Sequence, residues 1–120
     1  MVSEILRGLG CHSVFACGDT KSALDTIRWQ RVDLAIIDIA LEGEDGVDFV
    51  RQLRASAVPG LAQLAILVVS AFTTEAKVIE AGAAGVDGFL SKPISVTALA
   101  NRMSSAIVTR TRQTRRDLCL

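Results

Sequence analysis

Aromatic residues are scarce in this chain of 120 residues, which has four Phe, one Trp and no Tyr. This composition disfavours a stacking surface for single-stranded nucleic acid, because such surfaces use several aromatic side chains. Neither sign of charge prevails, since 13 Lys and Arg residues balance 13 Asp and Glu residues. We therefore expect no direct binding of nucleic acid and no domain-wide attraction to an anionic membrane.

Cysteine is rare as well, and the three cysteines are Cys11, Cys17 and Cys119. Their odd number and the absence of CxxC spacing argue against a disulfide scaffold or a zinc site and predict a cytoplasmic protein. No apolar run approaches the roughly 20 residues of a membrane helix. Residues 1–4 carry no basic segment followed by a long apolar one, so no secretory signal is predicted.

Half of the residues are hydrophobic, and the length suits one domain with its own core. Apolar periodicity and turn residues predict an alternation of helices and strands. Five helices are predicted: residues 2–9, Asp19 (as cap) to Trp29, residues 47–53, Thr73 or Thr74 (as cap) to Gly82–Gly85, and Ser95 (as cap) to residue 107. Four strands are predicted, over residues 13–17, 33–38, 64–69 and 86–90. This alternation predicts an α/β domain with a doubly wound parallel sheet over residues 1–107, and residues 108–120 are predicted to be a basic helix extension or tail.

Three polar residues lie at the end of a predicted strand or within two residues after it: Asp38, Ser70 and Lys92. In a doubly wound sheet the reactive groups lie at the carboxyl ends of the strands. A carboxylate in this position can attack phosphorus as a nucleophile. A hydroxyl and an ammonium group can bind the oxygens of the transferred group. The sequence therefore predicts a phosphoryl-transfer site at one edge of the sheet.

Three segments carry a family resemblance: Val32–Gly46, Leu67–Ala71 and Ala81–Pro93. Taken together, in order and at their spacing, they resemble the receiver domain of two-component response regulators over residues 2–107. The resemblance implies a flavodoxin-like receiver fold. It also implies that the chain is a signalling module and not an enzyme.

The resemblance implies a role for each matching residue. Asp38 is expected to accept the phosphoryl group, and Ser70 and Lys92 are expected to contact it. Phe89 is expected to act as an aromatic switch that rotates together with Ser70. The peptide bond before Pro93 is expected to be cis.

Magnesium is the implied cofactor, with Asp38 and the backbone carbonyl of Ala40 as expected ligands. Family members begin with a strand that ends in two or three acidic residues, whereas Met1 stands here where the first helix begins. We therefore expect the first strand and its acidic pair to be missing, and Mg²⁺ binding to be weakened, with Glu42 as a replacement ligand. Closure of the sheet, a strand from another copy or the C-terminal tail are the alternatives for filling the gap. A misplaced start would also explain the absence.

The leading hypothesis is a stand-alone receiver module. It would take a phosphoryl group on Asp38 from a histidine kinase or phosphotransfer protein and signal by partner binding or homodimerisation. The alternative is a degenerate receiver that acts as a phosphorylation-independent interaction module. A phosphatase with an aspartyl nucleophile is disfavoured, because the dehalogenase-type enzymes need a second Asp where this chain has Ala40.

Overall fold

Helices and strands alternate along the chain, which confirms the predicted α/β class. The computed structural model describes residues 6–9, 14–30, 32–39, 45–57, 60–71 and 74–114, with side chains described as far as Val108. The elements are α1 (Thr20–Trp29), β1 (Leu34–Asp38), α2 (Gly46–Arg54), β2 (Ala65–Ser70), α3 (Glu75–Ala84), β3 (Gly88–Ser91) and α4 (Val96–Thr114). Residues 6–8 are also helical.

The described strands form one parallel sheet in the order β1-β2-β3. Leu34 pairs with Ala65 and Asp38 with Val69, while Leu67 pairs with Gly88 and Ser70 with Ser91. All six residues of β2 are buried, as expected for the middle of three strands with helices on both faces. This register brings the carboxyl ends of all three strands to one edge.

Two hydrophobic clusters cover the two faces of the sheet. The first joins alternate strand residues such as Ile37, Ile66 and Val68 to helices α2 and α3. The second joins the intervening strand residues to α4, and its largest fully buried helix residue is Leu99. Because strand side chains alternate between faces, a continuous apolar run serves both clusters. The sheet is therefore doubly wound, as predicted.

Side-chain caps begin the helices. Asp19 accepts a hydrogen bond of 2.7 Å from the Ser22 amide at the start of α1. This backbone bond, aided by the Ser22 side chain, holds the pKa of Asp19 below its ordinary value. Thr74 caps α3 and Ser95 caps α4, and both residues are among the caps predicted from the sequence. Each cap satisfies an amide that the first helical turn leaves without a partner.

The strand predicted over 13–17 is wrong for its described part, because residues 14–17 adopt no regular structure. Phe15 keeps 47% of its surface exposed. A strand is stabilised by hydrogen bonds to a neighbouring strand, and none of the three described strands pairs with this segment. The helix predicted over 2–9 is described only from residue 6, where a helical turn places Leu6 against the second cluster.

The last helix, α4, is continuous from Val96 to Thr114 and so passes the predicted domain boundary at 107. That boundary stays a prediction, and residues 115–120 lie outside the described part. Among the described helices, none is both long and apolar enough to cross a bilayer.

Candidate functional site

The three polar residues singled out in the sequence lie at the same edge of the sheet. Asp38 ends β1 and Ser70 ends β2. Lys92 follows the last residue of β3, and its amide donates a hydrogen bond of 2.9 Å to the Ser70 carbonyl. Parallel pairing therefore collects residues that are up to 54 positions apart in the chain.

The side chains of Asp38 and Lys92 are in direct contact. Lys92 Nζ lies 2.5 Å from Asp38 Oδ2, which makes a charge-assisted hydrogen bond. The two side chains remain 32% and 41% exposed, respectively, so the pair is open to an approaching anion. This contact sets a carboxylate oxygen beside a cation that can neutralise charge delivered to it.

The backbone around Asp38 is held from two sides. The Ile39 amide donates to Val69 O at 3.0 Å, and the Gly46 amide donates to Ile39 O at 3.3 Å. Gly46 begins α2 and packs so closely that a Cβ there would lie 2.7 Å from Asp38 O. Only a residue without a side chain fits this approach without a shift. The start of α2 therefore fixes the position of the Asp38 peptide.

The other two predicted side chains occupy different environments. Ser70 is only 3% exposed, and no described buried side-chain nitrogen or oxygen lacks a hydrogen-bond partner. Phe89, in β3, is partly buried and packs against the first cluster, on the face covered by α2 and α3. Their roles as phosphoryl contact and switch stay predictions.

The Lys92–Pro93 peptide bond is cis in the structure. Ala40 and Glu42, the other residues predicted to bind magnesium, lie outside the described residues. In the described ranges, no group of three His, Cys, Asp or Glu side chains is suited to hold a metal ion. Mg²⁺ requires near-octahedral oxygen ligation. Of the predicted magnesium ligands, Asp38 is the one that lies within the described residues, and its Oδ2 accepts a hydrogen bond from Lys92.

Sequence reasoning missed two features of the structure, one at this edge of the sheet and one at the opposite end. The first is Asp45, which caps α2 by accepting hydrogen bonds from the amides of Val47 at 2.9 Å and Asp48 at 3.4 Å. An Asp directly before a periodic apolar segment is a known signal for a helix start and could have revealed it. The second is a buried ion pair between Arg54 and Asp87, at 3.0 Å. No local signal connects residues so far apart in sequence.

The fold matches solved receiver structures. A CheY-like response regulator receiver domain protein from Methanospirillum hungatei superposes with a TM-score of 0.79 at 17% identity and covers 92% of this chain and 85% of its own. This likeness concerns the fold alone.

Sequence comparison points to the same family. Chemotaxis protein CheY-3 of Vibrio cholerae is 28% identical over 103 residues, which is 86% of this chain and 78% of that protein. The KDP operon transcriptional regulatory protein KdpE of Escherichia coli is 37% identical over 103 residues, or 85% of this chain and 43% of KdpE. The family described as the response regulator receiver domain matches residues 1–104. The chain therefore belongs to the response regulator receiver domain family, whose members serve phosphorelay signalling in two-component systems.

Proposed function

We propose that this chain accepts a phosphoryl group on Asp38 from a histidine kinase or a phosphotransfer protein. The observation that carries the proposal is the 2.5 Å contact between Lys92 Nζ and Asp38 Oδ2 at the carboxyl edge of the sheet. A nucleophilic carboxylate next to a cation is the arrangement that phosphoryl transfer to an aspartate requires.

The proposed step forms one bond and breaks another. A carboxylate oxygen of Asp38 forms a bond to phosphorus, while the bond from phosphorus to the imidazole nitrogen of the donor breaks. The imidazole nitrogen leaves with the electron pair and takes a proton from solvent water, and Asp38 becomes an acyl phosphate. Lys92 exchanges its contact with the carboxylate for one with a phosphoryl oxygen, where its charge offsets the incoming negative charge.

Signal output would use the surface formed by α3, β3 and α4. This surface carries exposed apolar side chains, with Ile79 63% and Val96 51% exposed. We expect a partner protein or a second copy to cover these side chains when it binds. Ser70 and Phe89 would connect Asp38 to this surface, since β2 and β3 are adjacent strands. A cytoplasmic location remains a prediction from the cysteine content.

A second candidate function is a degenerate receiver that binds partners without phosphate. The observation favouring it is that, in the described ranges, Asp38 is not accompanied by the two further ligands of a metal cluster. The weakened magnesium binding expected from the sequence would slow transfer, because Mg²⁺ neutralises phosphoryl charge. This alternative would retain the surface formed by α3, β3 and α4 and would lose only phosphoryl transfer to Asp38.

Incubation of the full chain with acetyl phosphate and Mg²⁺ tests the proposal, with intact-mass spectrometry as the readout. The wild type should gain the mass of one phosphoryl group, and Asp38→Asn should gain none. Lys92→Ala should be modified about 10²-fold more slowly, because it lacks the charge that stabilises the transferred group.

Asp25→Asn is the matched control, because Asp25 is an exposed acid that belongs to helix α1 and not to a strand end. It should be modified like the wild type. A wild type that stays unmodified while it remains folded would favour the degenerate receiver. Equal modification of wild type and Asp38→Asn would place the acceptor elsewhere.

A further inference from the structure

A buried ion pair lies at the end of the sheet opposite to Asp38. Arg54 Nη2 and Asp87 Oδ2 are 3.0 Å apart, with side chains only 14% and 8% exposed. Arg54 is the last residue of α2, and Asp87 directly precedes β3. Lys92 lies five residues further on, at the end of roughly 16 Å of extended chain.

The Arg54 guanidinium also holds three backbone carbonyls. Nε donates to Gly85 O at 2.9 Å, and Nη1 donates to Ala62 O at 3.0 Å and to Leu64 O. Gly85 makes room for it, because a Cβ at this position would lie 3.1 Å from Arg54 Cγ. Arg54 thereby joins the end of α2, the end of α3 and the segment that enters β2.

Asp87 connects this arrangement to the sheet. Its amide donates to Ile66 O at 2.8 Å, and its Oδ2 accepts from the Ile66 amide, also at 2.8 Å. Asp87 is therefore bonded in both directions to one residue of β2. The side chain replaces a strand carbonyl and aligns β3 with β2 before the first pair of the ladder.

Within β3 itself, only a short sequence contributes to the register. The strand has four residues, and only Phe89 and Leu90 carry apolar side chains. Gly88 lies where a Cβ would come within 2.7 Å of Leu67 Cδ2, so it also restricts the register, and Ser91 is exposed. A slip of one residue would move Lys92 by about 3.3 Å and turn it to the other face. The contact with Asp38 would then be lost.

We propose that Arg54 and Asp87 are positioning residues that set the register of β3 and so hold Lys92 in reach of Asp38. This inference rests on the proposed function for its consequence in phosphoryl transfer. Its structural part concerns the unmodified protein and can be tested without phosphate.

The first test is hydrogen exchange by NMR on the full chain. The Lys92 amide, bonded to Ser70 O, is compared with the Ile39 amide, bonded to Val69 O on the other side of β2. Asp87→Ala should lower the protection of the Lys92 amide relative to Ile39 by about tenfold. Asp87→Asn retains an acceptor oxygen for the Ile66 amide, so the ratio of Lys92 to Ile39 amide protection should return to near the wild-type value.

Two control variants separate positioning from stability. Val50→Ala removes core contacts in the middle of α2 and should lower both protections without changing their ratio. Arg51→Gln alters an exposed arginine of the same helix and should leave both unchanged. If Asp87→Ala fails to fold, Arg54→Lys replaces it. Lysine keeps the positive charge but lacks the planar guanidinium donors, so the protection of the Lys92 amide relative to Ile39 should fall by a smaller factor.

The second test is the rate of modification by acetyl phosphate. Asp87→Ala should be about 10²-fold slower than the wild type, and Val50→Ala should differ by no more than about twofold. The inference is overturned if Asp87→Ala matches Val50→Ala both in the exchange ratio and in the rate. An unmodified wild type would count against the proposed function, while the exchange ratio would still decide the register.

Discussion

Helices α1 and α2 are alike in sequence and different in their packing. Each begins with an aspartate whose side chain accepts amide hydrogen bonds, and each carries apolar residues along one face. Five of the nine residues of α2 are buried, whereas none of the ten residues of α1 is. Only three side chains of α1 pack against the first cluster, and they are partly buried: Ala23, Leu24 and Ile27.

The difference follows from the connections of the two helices. Helix α2 links β1 and β2, which are adjacent and parallel, so the crossover must return over one face of the sheet. Helix α1 follows residues 14–17, which do not pair with any described strand. Capping and periodicity thus suffice to form a helix, but its burial depends on the strands that flank it.

Truncation of one leucine on the apolar face of each helix should give the largest contrast in the free energy of unfolding. Leu53→Ala in α2 should lower the free energy of unfolding by about 2–5 kcal/mol, because Leu53 is fully buried. Leu24→Ala in α1 should cost less than about 1 kcal/mol, since this side chain is only partly buried. Urea denaturation followed by circular dichroism measures both. Equal losses would mean that α1 is as well packed as α2.

The glycines next to the two caps offer a second matched pair. Gly46→Ala should lower the free energy of unfolding by about 1–3 kcal/mol, because its Cβ would clash with the backbone of Asp38 and Ile39. A Cβ at Gly18 would have no neighbouring atom within 4 Å, so the free energy of unfolding of Gly18→Ala should stay within about 0.5 kcal/mol of the wild type. The same denaturation experiment applies, and a neutral Gly46→Ala would contradict the close approach.

Removal of the caps should give a smaller contrast. Asp45→Ala should lower the free energy of unfolding by about 1 kcal/mol, because two amides of α2 lose their acceptor. Asp19→Ala should change global stability less, since α1 contributes little buried surface, and should instead reduce helix content locally. NMR chemical shifts of residues 20–23 measure the local loss. An equal global loss for both variants would contradict the comparison.

The pH dependence of the α1 cap should be the smallest effect. Hydrogen bonds from Ser22 lower the pKa of Asp19 in the folded chain below the unperturbed value of 3.8. The stabilisation is therefore complete above the unfolded pKa and is lost as the pH falls through the folded pKa. Carboxyl NMR titration should give a midpoint below 3.8. Ser22→Ala should raise it only in part, because the backbone amide remains, and an unchanged midpoint would exclude the side-chain contribution.

The sequence predicted the parts of the fold that depend on local patterns. The apolar runs ending at Asp38 and Ser70 form β1 and β2, as predicted, and strand-end position correctly placed Asp38 near Lys92. The segment around Phe15 has a similar apolar pattern, but a strand also needs a neighbour, which a local pattern cannot supply. The contact between Arg54 and Asp87 could not be predicted, because it joins residues 33 positions apart in the sequence.

The exposed end of α1 has a practical consequence for spectroscopy. Trp29 is the only tryptophan of the chain and keeps 84% of its surface in contact with solvent. Its fluorescence in the native protein should already resemble that of a hydrated indole, so emission should change little when the core unfolds. Collisional quenching of Trp29 should therefore decrease only when a ligand or partner covers this end of α1, which makes Trp29 a built-in probe for such binding.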